Sequence, residues 1–317
     1  MNLLVLGGTR FLGRAVVADA LASGHRVSLF NRGLTNPGLF PEAEKLTGDR
    51  VSDLSALRKR SWDAVIDVAA HDPDAVARSL EVLGERVGRY VFVSTLSTYA
   101  DHATTNAQRE DAELLDLDRI SEPSELYGAR KAACERLVLE AFGARASVAR
   151  AGLIVGPHDP TQRFVYWPRR MAVGGRVLAP GDPSDPLQFI DVRDLGRWLV
   201  LAAQGEWSGV QNVTGRPVAF GKFLEECRTP GIDAELAWVS SARLLEANVD
   251  PWMGVPLWIA APGWEAANRV DVSRALAAGL RCRPLRPTIE ASGTESGSEG
   301  ASVLRPEDEA RLLGLAE

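Results

Sequence analysis

The stretch that decides the fold is Met1-Asn-Leu-Leu-Val-Leu-Gly-Gly-Thr-Arg-Phe-Leu-Gly13, at the start of the chain. The apolar run up to Leu6 predicts a buried parallel strand, the glycines after it predict a turn, and a predicted helix begins at Phe11. A second predicted strand, ending at Phe30, follows at the spacing of a strand–helix–strand unit. The backbone N–H groups of this turn then lie at the positive end of the helix dipole, where they can bind a pyrophosphate. The alternative is an ordinary strand–turn–helix whose glycines only serve packing.

Composition limits the class of protein. The chain has 317 residues, of which 45% are hydrophobic and 25% charged, as in a soluble globular protein of one or two domains. The net charge of −6 argues against a nucleic-acid surface. Three scattered cysteines favour a reducing compartment and show no metal-ligand spacing. Because no signal peptide or apolar run of about 18 residues is found, we expect a cytoplasmic protein without a membrane partner.

The first half of the chain alternates short β-like runs with amphipathic segments, which is typical of a parallel sheet with helices on both faces. The predicted fold class is therefore α/β, a doubly wound parallel (Rossmann) sheet. The predicted strands are residues 3–6, 26–30, 46–48, 64–67, 90–94 and 147–151, and the predicted helices are residues 12–23, 54–60, 75–85 and 126–142.

Beyond about residue 151 the pattern changes, because proline and glycine clusters interrupt it and seven of the eight tryptophans occur there. We interpret residues 1–150 as an NADP-binding Rossmann domain and 151–290 as a smaller substrate-binding lobe with segments returning to the sheet. Helices are expected near 194–203 and 220–227, and the tryptophan-rich stretch 251–258 is interpreted as lobe core rather than a lid. Residues 291–317 are predicted to form a flexible linker, over 291–302, and a short C-terminal helix with Pro306 in its first turn.

Two residues at the start of a predicted helix carry chemistry. Tyr127 and Lys131 are four residues apart, so both side chains lie on one helix face and can reach the same cleft. A nearby cation favours the phenolate, which predicts a lowered pKa for Tyr127 and suits it to proton transfer. Thr95 follows the end of the strand at 90–94, where the ligand crevice of a parallel sheet lies. Its hydroxyl can hydrogen-bond the same substrate oxygen.

These motifs together resemble the extended short-chain dehydrogenase/reductases of the NAD-dependent epimerase/dehydratase superfamily. The signatures are the loop from Gly7 to Gly13, the strand end 92–99, Tyr127–Lys131 followed by Glu135, and the segment 150–157. Residues 188–194 resemble the strand that returns from the substrate lobe in that superfamily. The resemblance covers about residues 1–285 and is specific for the fold and the cofactor class, not for a substrate.

The resemblance assigns roles to individual residues. It makes Tyr127 the catalytic acid/base, Lys131 the residue that holds the nicotinamide ribose and tunes the phenol, and Thr95 the residue that orients the substrate oxygen, with Ser94 as the alternative. It places Asp49 at the adenine. In that superfamily the helix of the tyrosine and the preceding helix often form a dimer interface, so a homodimer is one expectation. The cofactor-binding residues are predicted to be Gly7, Thr9, Arg10, Phe11, Leu12, Gly13, Asn31, Arg32, Asp49, Ala69 and Ala70, together with Tyr127 and Lys131.

The cofactor prediction rests on two departures from the superfamily pattern. Arg10 replaces the middle glycine of the loop, and the acidic residue that binds the ribose diol of NAD is absent, because the second strand ends at Asn31 and is followed by Arg32. Guanidinium groups match phosphate bidentately. We therefore predict NADP as the cofactor, with NAD as the alternative if both arginines are only surface charges.

A third departure concerns the substrate. Nucleotide-sugar epimerases of the superfamily carry an asparagine and a diphosphate-binding arginine at two positions where this chain has Leu153 and Leu187. This change predicts a small, non-nucleotide substrate, unless other residues bind a diphosphate. The catalytic hydroxyl also lacks the neighbouring acidic residue of a dehydratase, since Ser94 and Leu96 flank Thr95.

Three functions remain open from the sequence. The leading hypothesis is an NADP-dependent oxidoreductase acting on a carbonyl/alcohol pair. The second is an epimerase or dehydratase with a tightly bound cofactor. The third is a non-catalytic protein, because the form of the glycine loop also resembles a chloroplast branch that binds stem-loop RNA. Intact Thr95, Tyr127 and Lys131 and the acidic net charge argue against the third.

Overall fold

The structure is a computed structural model that describes residues 1–104, 108–293 and 304–316. Most of the chain is in short regular elements, and ten α-helices are found in the described ranges. The strands are β1 Asn2–Leu6, β2 Arg26–Asn31, β3 Glu44–Thr47, β4 Trp62–Asp67, β5 Val87–Thr95, β6 Ala146–Ala151, β7 Leu153–Val155, β8 Gly175–Pro180, β9 Pro186–Leu187, β10 Phe189–Asp191, β11 Gly209–Val213, β12 Val218–Ala219 and β13 Ala234–Val239. The helices are α1 Phe11–Ala22, α2 Pro73–Leu83, α3 Leu126–Phe142, α4 Tyr166–Val173, α5 Val192–Gln204, α6 Phe220–Glu226, α7 Ser241–Glu246, α8 Ser273–Ala277, α9 Leu285–Ser292 and α10 Pro306–Leu313.

Seven strands form one central sheet in the order β11-β6-β5-β4-β1-β2-β3, and every neighbouring pair is parallel. The chain order reverses between β1 and β4, and in open α/β sheets ligands bind at such a switch point, beyond the carboxyl ends of the strands. The predicted doubly wound α/β class is therefore confirmed.

Side-chain alternation along β1 shows why the sheet needs helices on both faces. Leu3 and Val5 belong to a core shared with α1 and α5, whereas Leu4 and Leu6 belong to a core shared with α2 and α3. All four side chains are at most 2% exposed. A strand buried on both sides reads as a continuous apolar run, as the start of this sequence does.

A third core lies in the C-terminal part of the chain and is rich in aromatic rings. The Phe220 ring contacts both Trp167 and Phe223 there, and Trp258 is buried in the same cluster. Within the stretch 251–258, Met253 is exposed. The interpretation of this stretch mainly as core is thus supported by the burial of Trp258.

The six predicted strands and most predicted helices are present, with ends displaced by up to three residues. The predicted helix over 54–60 is wrong, because only a 3₁₀ turn, Ser55–Leu57, forms there. The Asp53 carboxylate accepts a hydrogen bond from the N–H of Ser55, and the N–H groups of Leu57, Arg58 and Arg60 each bond three residues back. These tight turns close before an α-helical turn develops.

The C-terminal half differs from the predictions in two places. The segment at 188–194 contributes β10, which pairs with β7 in a small separate sheet, whereas the strand that rejoins the central sheet is β11, which was not predicted. The first two residues of the predicted linker at 291–302 belong to α9, Gly293 follows that helix as its C-cap, and residues 294–302 lie outside the described residues. The predicted C-terminal helix is present as α10.

No helix in the described part of the chain combines the length and apolar character that crossing a bilayer requires.

Candidate active site

A cleft of about 710 Å³ lies at the carboxyl ends of the central strands, around the switch point between β1 and β4. This volume lies within the range of cofactor and small-molecule sites. The structure brings every predicted site residue to this cleft. Its walls include Gly7, Thr9, Arg10, Phe11, Leu12, Gly13, Asn31, Arg32, Asp49, Ala69, Ala70, Thr95, Tyr127 and Lys131.

The glycine loop forms a cradle that a larger side chain would fill. Gly7 has a φ of +111°, and a β-carbon at Gly13 would stand 2.7 Å from the backbone nitrogen of Gly8. Helix α1 begins within this stretch, at Phe11, and no described side chain caps its first turn. Free N–H groups and the helix dipole are what a pyrophosphate requires, so the loop fits a dinucleotide.

The local backbone explains how Arg10 is accommodated. Its φ and ψ are −133° and 147°, an extended conformation that any residue adopts, so a glycine is not required there. The side chain is exposed at the cleft. The positive φ falls instead on Phe11, at 32°. The substitution therefore adds a cation beside the phosphate cradle without closing it.

Two asparagines, one at the end of β2 and one in the segment after it, hold the glycine loop. Asn31 Nδ2 donates to the carbonyl of Gly7 at 2.9 Å, and Asn36 Nδ2 donates to the carbonyl of Thr9 at 2.9 Å. Asn36 was missed by sequence reasoning, and its position in a loop gave no periodic signal. Arg32 is exposed on the wall of the same cleft.

The hydroxyls at the end of β5 have different environments. The Thr95 hydroxyl accepts from the N–H of Ser97 and donates to the Ser97 hydroxyl, both at 3.2 Å. Ser94 is buried, and its Oγ has no hydrogen-bond partner among the described residues. Both residues line the cleft. Thr95 is the more accessible hydroxyl of the pair.

Tyr127 and Lys131 share the cleft, but one expectation about them is wrong. Tyr127 is 52% exposed, and partial burial raises the pKa of its phenol rather than lowering it. The Lys131 ammonium does not reach the phenol: it donates to the carbonyl of Ala70 at 2.7 Å and to that of Val93, and lies 4.4 Å from the centre of the Phe92 ring. In this conformation these two backbone carbonyls, and not the phenol, bind the Lys131 ammonium.

Burial controls the charge of Lys131. It lowers the pKa of the ammonium to about 8, although the nearby Asp67 carboxylate acts in the opposite direction. A desolvated amine that titrates near neutral pH is a group that a neighbouring ligand can readily tune.

A buried charge pair at the base of the cleft was missed by sequence reasoning. Arg50 donates to both carboxylate oxygens of Asp67, at 3.0 and 2.8 Å, and the Tyr90 hydroxyl donates to Asp67 at 2.8 Å. Burial alone would raise the pKa of Asp67, but Arg50 and Tyr90 hold it below its ordinary value. The available signal was an aspartate ending an otherwise apolar strand, which requires a partner.

A second buried pair holds α3 against the sheet. Arg150 of β6 donates to Glu135 of α3 at 2.7 Å and to the Tyr99 hydroxyl at 3.0 Å. Glu135 is fully buried and Arg150 is 3% exposed. Since Glu135 is one helical turn beyond Lys131, this pair sets how α3 lies against the sheet.

Leu153 and Leu187 stand where nucleotide-sugar epimerases carry an asparagine and a diphosphate-binding arginine. Both leucines pack among apolar side chains. Leu187 is 1% exposed in the C-terminal core, and Leu153 packs against the same core. Neither position offers a group that binds a diphosphate.

Residues 3–213 match the NAD dependent epimerase/dehydratase family. The chain belongs to this family. The match contains the glycine loop, Thr95, Tyr127 and Lys131, and its last residue, Val213, ends β11 of the central sheet. The fold and the cleft are accordingly those of an NAD-dependent family of enzymes.

Two curated relatives match parts of this chain, and their names state different functions. A chloroplast stem-loop binding protein of 41 kDa from Arabidopsis thaliana is 24% identical over 73% of this chain and 63% of its own length. A 2-alkyl-3-oxoalkanoate reductase from Stenotrophomonas maltophilia is 29% identical over 64% of this chain and 66% of its own length. The matched regions thus span less than two thirds of each relative.

Solved structures agree with the family fold. A UDP-glucose 4-epimerase from Thermotoga maritima, solved with UDP-glucose, has a TM-score of 0.65 at 19% identity over 92% of this chain and 98% of its own. A UDP-glucuronic acid 4-epimerase from Bacillus cereus, solved with NAD, has a TM-score of 0.64 at 17% identity over 99% and 100% of the two chains. At these identities the similarity concerns the fold alone.

Proposed function

We propose that this protein is an NADP(H)-dependent reductase or dehydrogenase of a small, non-nucleotide carbonyl/alcohol pair. The observation that carries the proposal is the layout of one cleft. Tyr127, Thr95 and Lys131 line it together with the glycine loop, and Arg10 and Arg32 line it with no carboxylate ending β2.

Each residue has a chemical role in this proposal. A dinucleotide held by the glycine loop, Arg10 and Arg32 would supply the hydride chemistry at the carbonyl carbon. Tyr127 donates the proton that the carbonyl oxygen needs on reduction and takes it back on oxidation. Thr95 donates a hydrogen bond to the same oxygen once its hydroxyl turns away from Ser97. Lys131 releases a backbone carbonyl, binds the ribose and stabilises the phenolate form of Tyr127.

The preference for NADP follows from charge. Arg10 and Arg32 are exposed on the cleft wall, and neither makes an ion pair with a described carboxylate. A terminal phosphate on the adenosine ribose gives both guanidinium groups an anion to bind. At the end of β2, Asn31 presents an amide that does not repel that phosphate.

The substrate class rests on Leu153 and Leu187, whose apolar packing leaves no diphosphate contact at those positions. The oxoalkanoate reductase among the relatives supports a carbonyl substrate. RNA binding, named for the chloroplast relative, fits poorly with a net charge of −6. The proposal assigns residues 1–150 to the cofactor and 151–290 to the substrate.

The second candidate is an epimerase or dehydratase, favoured by the family and by the fold similarity to nucleotide-sugar epimerases. Such an enzyme keeps its cofactor through each cycle, whereas a reductase exchanges it.

Native mass spectrometry of the purified protein, alone and with NADPH or NADH, separates the two. Selective uptake of NADPH by an empty protein supports the reductase, and a protein already loaded with NAD favours the epimerase or dehydratase. The same spectra test the proposed homodimer. In turnover assays with carbonyl compounds, Tyr127→Phe should abolish nearly all activity while leaving NADPH binding almost unchanged. Retained turnover in that variant would refute the proposed proton donor.

A further inference from the structure

Another cavity, of about 580 Å³, lies away from the cofactor cleft, between the loop after β11 and the segment that connects α8 to α9. Its volume is within the range of small-molecule sites. Among the described residues, those that line this cavity and those that line the cleft have no member in common. A ligand of this cavity is therefore distinct from a cofactor or substrate held in the cleft.

Three arginines line this cavity and come from its two walls. Arg216 follows β11, whereas Arg281 and Arg283 lie between α8 and α9. Burial raises the pKa of the neighbouring Cys282 thiol to about 11, and the Arg216 guanidinium acts on that thiol in the opposite direction. Arg216 thus lies within electrostatic range of the wall that carries Arg281 and Arg283, so the charges act on the same space.

The two carboxylates that line the cavity already have counter-ions. Asp194 accepts hydrogen bonds from the N–H and the guanidinium of Arg283, at 2.7–2.8 Å. Asp191 accepts from the N–H and the guanidinium of Arg193 and from the Thr288 hydroxyl. Each acid is therefore balanced by an arginine of its own.

Arg216 and Arg281 have no such partner. Both residues are exposed, and neither side chain makes an ion pair or a hydrogen bond with a described residue. Since Arg193 and Arg283 balance the two acids, two positive charges remain at the cavity. Guanidinium groups bind phosphate oxygens bidentately, and a phosphate monoester carries a charge of about −1.5 to −2 at neutral pH. The charge of the cavity therefore matches one phosphomonoester group.

Hydrogen bonds fix the backbone of both walls. Gly215, which precedes Arg216, donates its N–H to the carbonyl of Phe189 at 2.8 Å, and a β-carbon at Gly215 would stand 2.4 Å from that oxygen. On the other wall, the N–H of Arg283 donates to Asp194 at 2.8 Å. Walls that are fixed in this way lower the entropy cost of binding a ligand between them.

The cavity also has an apolar part. Four apolar side chains line it and are partly buried, namely Phe189, Val218, Leu276 and Leu285. Apolar surface of this kind gains free energy when a ligand removes it from water. The lining therefore suits a hydrocarbon or aromatic group attached to the phosphate better than inorganic phosphate alone.

We propose that this cavity binds a phosphate monoester that carries an apolar group, with Arg216 and Arg281 on the phosphate oxygens. The apolar group covers Phe189 and Leu285. The inference does not depend on the proposed reductase function, because the cavity and the cleft share no described lining residue.

The test is calorimetric titration of the full-length protein with phenyl phosphate. The cleft is first saturated with NADP⁺, or with NAD⁺ if NADP⁺ does not bind, so that the glycine loop cannot take the phosphate. We expect phenyl phosphate to bind at least about tenfold more tightly than phenol, which lacks the charge, and than inorganic phosphate, which lacks the ring. Benzoate, with a single charge, should also bind more weakly than phenyl phosphate.

Two variants locate the site. Arg216→Gln and Arg281→Gln should each weaken the binding of phenyl phosphate by about tenfold or more, the worth of one hydrogen bond to a charged group. Arg216→Lys, which keeps the charge without the fork, should lie between Arg216→Gln and the wild type. Arg58→Gln is the matched control, because Arg58 is exposed and lines neither the cavity nor the cleft. It should bind phenyl phosphate as the wild type does.

Equal binding of phenyl phosphate and phenol, or of phenyl phosphate and inorganic phosphate, would overturn the proposal. Affinity retained in both Arg216→Gln and Arg281→Gln would place the bound phosphate elsewhere and overturn it too. Benzoate that binds as tightly as phenyl phosphate would contradict a site for a dianion. Because neither arginine contacts a described residue, both variants should unfold at the temperature of the wild type, which thermal unfolding measures.

Discussion

The backbone of Gly128 packs directly on the carbonyl oxygen of Ser97: a β-carbon at residue 128 would stand 1.9 Å from that oxygen. Gly128 follows Tyr127 in α3, and Ser97 follows Thr95 by two residues. The spacing of the backbones that carry Tyr127 and Thr95 is thus set by a direct contact between α3 and the segment after β5.

We predict that Gly128→Ala lowers kcat by about 10- to 100-fold, because a displacement of about 1 Å between reacting groups has effects of that size. Alanine normally stabilises a helix relative to glycine. A loss of activity therefore cannot come from helix propensity. The measurement is steady-state turnover with NADPH, with the cofactor Kd determined in parallel and expected to stay within a few-fold. Gly38→Ala is the control, since nothing lies within 4 Å of a β-carbon there. Full activity of Gly128→Ala would show that the contact does not position Tyr127.

The cofactor preference is predicted to depend on two arginines. Replacing Arg10 and Arg32 together by alanine should weaken NADPH binding by about 10- to 100-fold, the worth of one to two hydrogen bonds to a charged group. NADH binding should change little, because the missing contacts concern only the additional phosphate. Fluorescence titration with each cofactor measures both constants. Arg14→Ala, on α1 but not among the residues that line the cleft, is the control. An equal loss for NADPH and NADH would contradict the prediction.

Lys131 should make stability depend on pH. Its pKa is about 8 in the folded chain, below the value of about 10.4 for an exposed lysine. Between about pH 8 and pH 10 the unfolded chain therefore binds more protons than the folded chain, and stability rises with pH. Relative to Lys131→Met, the free energy of unfolding of the wild type should increase by about 2–3 kcal/mol across this window. Urea unfolding at several pH values measures the difference, and a flat difference would argue against a desolvated ammonium.

The Arg50–Asp67 pair should be strongly coupled. Arg50→Gln leaves the Asp67 carboxylate buried without its counter-ion, which should lower the free energy of unfolding by about 3–5 kcal/mol. Adding Asp67→Asn should recover part of this loss, since no buried charge then remains. Chemical denaturation of both single variants and the double variant gives the coupling energy. Losses that simply add would mean that the two groups act independently.

We also predict that acid changes the stability of the wild type and of Arg50→Gln in opposite directions. In the wild type the pKa of Asp67 is held below its ordinary value, so its contribution is present above about pH 4 and is lost as the pH falls through the folded-state pKa. In Arg50→Gln, burial, the largest influence on Asp67, is opposed by the hydrogen bonds from the Tyr90 hydroxyl and the N–H of Ala69 but no longer by Arg50, so we expect that pKa to rise. The stability of this variant should then improve, relative to the wild type, as the pH falls from neutral towards about 5. A stability gap that widens in acid would contradict this assignment.

Much of the site could be predicted because its residues lie at strand ends and helix starts. Gly7, Thr95 and Lys131 each occur at a recognisable break between an apolar run and the next element, and the carboxyl ends of parallel strands share one edge. Residues in loops gave no such signal. Asn36 and Arg50 were missed because a loop residue has no periodicity that reveals its partner.

The errors also have physical causes. Residues 54–60 have an amphipathic pattern, but the Asp53 cap and the three-residue hydrogen bonds favour 3₁₀ turns. The strand β11 was missed because its partners in β6 are 62 residues away in the sequence. Lys131 was expected to tune Tyr127 because they share a helix face, yet the carbonyls of Ala70 and Val93 bind its ammonium.

The sequence by itself determined the doubly wound sheet and the glycine cradle, because apolar periodicity and positive-φ glycines are local properties that one strand or one turn expresses alone. Only the tertiary structure decided the partners of the charges: Arg50 with Asp67, Glu135 with Arg150, and Arg163 on Trp252. Electrostatic free energy depends on distance and on burial, and both are set by residues far apart in the chain. The charge state of Lys131 belongs to this second class, because burial and the nearby Asp67 set it.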